Sequence, residues 1–176
     1  MVEKLIIAGA GGQGVMLLGK VLATAAMQSA KHVTWLPAYG AEVRGGTAYC
    51  MVIISDNEIG SPHISQADSL IILNSPSLNK FRARLSNKGV LIGNSSMIEE
   101  GIKAIAKKFF YPFTDIAIKL GNIKVANIVA LGCYLAKRPT VTMPAVIKAI
   151  KEIAPSDKKE LIEINIKALK EGARLN

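Results

Sequence analysis

Cysteine is nearly missing from this chain of 176 residues: Cys50 and Cys133 stand alone and far apart, and no Cys-x-x-Cys occurs. An iron–sulfur cluster takes about four thiolates, so this chain cannot hold one by itself, and two thiols in apolar surroundings read as structural. His32 and His63 are each isolated from other ligand types, so no metal site is expected. No Gly-Lys-Ser or Gly-Lys-Thr follows Gly14, which excludes the phosphate-cradling loop of NTPases. Aromatic residues make up 5% of the chain, with no base-stacking platform and no nucleic-acid motif, so nucleic acid is not expected as a partner. The longest apolar run, Val15 to Ala30, is broken by Lys20, Thr24, Gln28 and Ser29, so no membrane span is expected. Glu3 and Lys4 stand where a signal peptide would begin, and a cytoplasmic location follows as the expectation.

What is plentiful is aliphatic. Half the residues are hydrophobic, and Ile, Leu, Val and Ala supply a core for one domain, residues 1–176. The net charge of +9 is lopsided, with eight basic and seven acidic residues in 1–100 but fourteen and six in 101–176. Such a basic half could meet nucleic acid, an anionic cofactor or an acidic partner subunit, or simply form solvated helix faces.

The chain is organised around Gly9-Ala10-Gly11-Gly12-Gln13-Gly14. Before it, Lys4 to Ala8 has the length and apolarity of a buried strand; after it, Val15 to Ala30 is long enough for four helical turns. Gly9, Gly11 and Gly14 fit G-x-G-x-x-G, a turn that allows close backbone approach and leaves the N–H groups of a helix start open to an anion. A dinucleotide fold also wants an acid about twenty residues on, after the second strand. Val33 to Leu36 reads as that strand, and it closes at Pro37 without one. A stand-alone NAD(P)-binding oxidoreductase domain therefore remains an alternative with its ribose ligand missing.

Further strands are expected at Thr47 to Ser55, Ser69 to Leu73, Gly89 to Gly93 and Phe109 to Tyr111. Helices are expected from Pro76 to Leu85, Ile98 to Lys108, Thr114 (as N-cap) to Leu120, Val125 to Ala136, Pro144 to Ile153 and Lys159 to Leu169. This alternation predicts a three-layer α/β/α sandwich with a mostly parallel sheet, which an antiparallel strand–turn–strand through Asp56-Asn57-Glu58 could make mixed, and a helical C-terminal part. Between the second and third strands lies Tyr39-Gly40-Ala41-Glu42-Val43-Arg44-Gly45-Gly46. Opposite charges beside a glycine pair suit a loop that meets a ligand or a partner.

Three stretches together resemble the gamma subunit of 2-oxoacid:ferredoxin oxidoreductases: Gly9 to Val15, Tyr39 to Gly46, and Asn127-Ile128-Val129-Ala130-Leu131-Gly132. The segments Val52 to Ser55 and Ile59 to Pro62 match as well, and the run Pro37 to Ala48 looks more like 2-oxoglutarate-type than pyruvate-type subunits. Branched-chain 2-oxoacid and indolepyruvate enzymes share much of the pattern. The resemblance implies a complex that decarboxylates a 2-oxoacid on thiamine diphosphate with Mg²⁺, carries electrons through [4Fe-4S] clusters to ferredoxin, and delivers the acyl group to coenzyme A. No thiamine diphosphate motif is present here, so those groups are implied on alpha, beta and delta-type partner subunits, with no catalytic residue on this chain. Gly9, Gly11, Gly12, Gln13 and Gly14 are then expected to contact an anion or a partner. Tyr39, Glu42, Arg44, Gly45, Gly46 and Asn127 are expected at an interface or the coenzyme A side.

Overall fold

The computed structural model describes residues 1–38, 47–99, 107–155 and 159–175. Six strands form one mixed sheet: β1 (Val2–Ala10), β2 (His32–Ala38), β3 (Thr47–Ser55), β4 (Ala67–Ile72), β5 (Leu85–Asn94) and β6 (Lys107–Tyr111), in the order β2-β3-β1-β4-β5-β6. β1, β4, β5 and β6 run parallel, whereas β3 is antiparallel to both β1 and β2.

Alternation along the strands sorts the core into two layers. Leu5, Ile7, Cys50, Val52, Ile54, Ile71, Val90 and Ile92 join the larger one. There they meet α1 (Val15–Gln28), α3 (Phe113–Lys119), α4 (Ala126–Lys137), α5 (Met143–Ile153) and α6 (Lys159–Ala173). Ile6, Ala8, Met51, Ile53, Leu70, Ile72 and Leu91 point the other way. The described residues cover them with α2 (Ser75–Phe81), through Leu78 and Phe81, and with Ile64 and Ile98. Because both faces are covered, the runs at the centre of β1 and β4 are apolar throughout, as parallel strands require. The three-layer expectation holds, with the C-terminal helices packed on one face.

α4 and α6 cross at close range. A Cβ on Gly132 would sit 2.1 Å from the Leu169 carbonyl oxygen, and one on Gly172 would sit 1.9 Å from that of Val129. Two glycines thus bring the helix backbones together.

Several local expectations are corrected. The helix after Pro76 ends at Phe81 and passes through a 3₁₀ turn, Arg82–Arg84, into β5 at Leu85. Lys107 and Lys108 belong to β6 rather than to a helix from Ile98; residues 100–106 of that helix lie outside the described residues. Thr114 is inside α3, not its cap: Pro112 holds that position, and the Thr114 hydroxyl accepts instead from Asn94 Nδ2 at 2.9 Å. β2 continues past Pro37, which pairs with Cys50 on the sheet edge, where a missing N–H is tolerated.

Candidate functional site

β1 and β4 are parallel neighbours whose following helices leave to opposite faces: α1 joins the larger core and α2 the smaller. Their carboxyl ends therefore form a topological switch point, the place where open α/β sheets leave a crevice. A cleft of about 190 Å³ lies there, lined by Gly12, Gln13, Leu73, Asn94, Met97, Thr114, Ile123, Lys124 and Ala126.

The glycine turn forms one wall. Gly14 is the N-cap of α1 in the left-handed region (φ 72°), as is Gly12 before it (φ 88°), and a side chain at either would be strained. Gly14 is also crowded: Asn127 Nδ2 donates to its carbonyl at 2.9 Å and would lie 2.3 Å from a Cβ there. Asn127 is 1% exposed at the start of α4, so it fastens the beginnings of α1 and α4 to each other. A Cβ on Gly9 would stand 2.6 Å from Gln13 Oε1. Gly11 differs from all of these, since it is exposed, has no positive φ, and has no described atom within 4 Å of where a Cβ would go.

Gln13 closes the turn on itself. Its Oε1 accepts from the Ala10 N–H at 2.7 Å, its own N–H donates to the Ala10 carbonyl at 3.2 Å, and its Nε2 donates to the Leu73 carbonyl at 3.4 Å. Asn94, at the end of β5, donates to the same Leu73 carbonyl at 3.3 Å and accepts from the Thr114 N–H at 3.3 Å. Two carboxamides thus tie together the ends of β1, β4 and β5 and the start of α3. Asn94 and Thr114 were not anticipated as site residues. The available signal was a polar residue closing a buried apolar run, the pattern that Asn74 also shows as N-cap of α2.

Gly12, Gln13, Gly14 and Asn127 therefore gather at one end of the sheet. Tyr39, Glu42, Arg44, Gly45 and Gly46 lie outside the described residues, although their segment is bounded by β2 and by β3, whose Thr47 pairs with Ala10. The described lining of the cleft holds amides, one hydroxyl and one cation, Lys124, with no carboxylate, thiol or imidazole. Such a set can hydrogen-bond a partner or attract an anion through Lys124. Both thiols are elsewhere and buried; desolvation raises Cys50 to about 12 and Cys133 to about 11.

This sheet order also disposes of the dinucleotide alternative. The acid that binds ribose stands at the end of a strand adjacent to β1. Here antiparallel β3 intervenes, so β2 ends two strand spacings away, roughly 9.5 Å. The Ala10 N–H is moreover already taken by Gln13.

At the opposite end of β1, Glu3 is 3% exposed, and one guanidinium and two hydroxyls reach its carboxylate. Arg138 Nη2 donates to Oε2 at 2.7 Å, and Ser69 Oγ and Tyr134 Oη donate to Oε1 at 2.6 and 3.4 Å. This network joins β1, β4 and the end of α4, far along the strand from the cleft.

A family profile described as pyruvate ferredoxin/flavodoxin oxidoreductase matches residues 4–175. The chain is 36% identical over 167 residues to the ketoisovalerate oxidoreductase subunit VorA of Methanothermobacter thermautotrophicus; the match takes in 95% of this chain but only 35% of that protein. The chain thus spans about a third of the length of that relative. Against the 2-oxoglutarate synthase subunit KorC of the same organism it is 34% identical over 181 residues, covering 98% of this chain and 94% of the relative. The crystal structure of a keto/oxoacid ferredoxin oxidoreductase gamma subunit from Geobacter sulfurreducens superimposes with a TM-score of 0.88 at 30% identity, over 99% of this chain and 96% of that one. With its sheet order, its self-closed glycine turn and these end-to-end matches, the chain belongs to the pyruvate ferredoxin/flavodoxin oxidoreductase family, as a domain of the gamma-subunit kind.

Proposed function

We propose that residues 1–176 act as one gamma-type domain of a multi-subunit 2-oxoacid:ferredoxin oxidoreductase. That complex would oxidatively decarboxylate 2-oxoglutarate to the acyl-coenzyme A and pass the electrons to ferredoxin. The observation that carries the reading is the near full-length match to the 2-oxoglutarate synthase subunit KorC. Thiamine diphosphate, Mg²⁺ and [4Fe-4S] clusters belong on partner subunits of the alpha, beta and delta types. Two buried cysteines do not fit a cluster.

In this reading the end of the sheet that carries the glycine turn is the working end of the domain. The turn and the cleft offer backbone N–H groups and Lys124 to an anion or to a partner subunit. Segment 39–46, with Glu42 and Arg44, lies in sequence between β2 and β3, and we assign it to the interface or the coenzyme A side. The arrangement supports assembly and positioning of the other subunits, not bond-making by this chain.

The test is reconstitution. Co-expressed with its partner subunits, the chain should co-purify with them, and the complex should reduce a viologen dye with 2-oxoglutarate and coenzyme A faster than with pyruvate or 3-methyl-2-oxobutanoate. Preference for either of the others overturns the substrate. Dye reduction at enzymatic rates by this chain alone overturns the non-catalytic role.

A further inference from the structure

The sheet face away from the cleft-bearing helices carries a second feature. Phe81, buried at the end of α2, packs its ring 4.9 Å from that of Tyr49 on β3, tilted by 55°. Two cations lie over this pair. Lys80 Nζ stands 5.1 Å from the Tyr49 ring centre and 5.6 Å from that of Phe81, and the Arg84 guanidinium carbon is 5.9 Å from Phe81. Arg84 Nε also donates to the Ser65 carbonyl at 3.3 Å. Arg82 is exposed between them.

Among the described residues no carboxylate forms a salt bridge with these charges or with Lys88. From Ser69 to Ile98 the sequence holds Lys80, Arg82, Arg84 and Lys88 and not one Asp or Glu. An aromatic face attracts a cation and restricts the long side chain that carries it. Ordering these side chains on binding therefore costs less than ordering free ones. The result is a preset positive surface with open N–H donors, and Arg forks match carboxylates in pairs.

We propose that the α2 face, centred on Lys80, Arg82 and Arg84 over the Tyr49–Phe81 ring pair, is a docking surface for a protein with a carboxylate-rich surface. A protein fits better than nucleic acid. Phe81 is buried and Lys80 occupies the face of Tyr49, so neither ring is free to stack on a base. Identification of the acidic partner with a subunit of the same complex rests on the proposed function; the charge argument does not.

The test uses the full chain and two polyanions, poly-L-glutamate and a twelve-residue oligothymidylate, titrated by calorimetry at several salt concentrations. The patch variant is Lys80→Gln/Arg82→Gln/Arg84→Gln. A control, Lys148→Gln/Lys151→Gln/Lys170→Gln, removes equal charge from exposed positions on α5 and α6, on the opposite face. A third variant, Lys80→Gln/Arg82→Gln, keeps the Arg84 bond to Ser65, so its loss of binding cannot come from a loosened fold. The patch variant should weaken poly-L-glutamate binding at least tenfold and flatten its salt dependence, the third variant severalfold, and the control by less than threefold. Equal loss in the control reduces the effect to net charge and overturns the proposal. Tighter binding of the oligonucleotide through the same three residues overturns it in favour of nucleic acid. No partner subunit enters this titration, so its failure is distinct from failure of the reconstitution.

Discussion

Removing Arg138 tests how much of the fold hangs on the buried carboxylate at the start of β1. Glu3 is 3% exposed and receives three donors, and Arg138 is the only cation among them. Arg138→Met keeps most of the aliphatic stem but strands the charge. Breaking a buried ion pair from one side costs about 3–5 kcal/mol. Two features lower that figure: the Arg138 side chain is 34% exposed, so water can replace it, and the hydroxyls of Ser69 and Tyr134 still serve the carboxylate. About 2–4 kcal/mol remains, which for a chain of this size lowers Tm by about 5–15 °C. Urea unfolding measures it directly. A neutral Gln at position 3 needs no cation, so Glu3→Gln in the Arg138→Met background should recover most of the loss, and Glu3→Gln alone should cost less than Arg138→Met. A loss below about 1 kcal/mol, the size expected of a surface ion pair, or no recovery in the double variant, refutes the reasoning.

The remaining predictions bear on the two glycine contacts and the thiols. Gly14→Ala imposes a strained φ and pushes Asn127 away, so it should lower stability by at least about 1–3 kcal/mol in the isolated chain. Gly11→Ala should leave the melt of the isolated chain unchanged or slightly raised, and any loss it causes in co-purification reports an outside contact at the turn. Gly132→Leu drives a side chain into the Leu169 carbonyl and should cost about 3 kcal/mol or more, beyond ordinary overpacking, seen as an early thermal transition. Cys50 and Cys133, raised by burial to about 12 and about 11, should stay unlabelled by a disulfide reagent at pH 8 until denaturant is added; rapid stoichiometric labelling of the native chain contradicts that burial.

The strands were legible because their signal is local. A run such as Leu5 to Ala8, apolar at every position, announces a strand covered on both faces. Less legible were features set by partners distant in sequence. Glu3 reads as an exposed charge at a chain start until Arg138, 135 residues away, is seen beside it. Thr114 reads as a helix cap because it precedes an acid, yet Asn94 takes its hydroxyl from across the sheet. Arg82–Arg84 kept the helical appearance of their neighbours, and only the pairing of Leu85 with Ala67 shows where the strand takes over. Gly132 and Gly172 carried a signal that local reading passes over, a glycine inside an otherwise strong helix; here it marks two backbones in contact.

The glycine turn shows how far a spacing can carry an inference. Its residues fit a dinucleotide fingerprint, but the fingerprint gains its meaning from a neighbouring strand that ends in an acid, and here β3 occupies that neighbour's place in the reverse direction. Position by position, the fold accounts for Gly9 through its contact with Gln13, for Gly12 through its φ, and for Gly14 through its φ and Asn127. Gln13 spends both ends of its carboxamide inside the turn and on Leu73. These residues build a rigid corner and need no ligand to explain them. Gly11 is the exception, since among the described residues nothing around it excludes a side chain and its backbone is not left-handed. A glycine that none of the described residues requires makes Gly11→Ala the informative substitution at the turn beside the cleft. The positions that packing and backbone geometry leave unexplained are therefore fewer than the six-residue pattern suggests, and of the six only Gly11 and Gly12 are exposed.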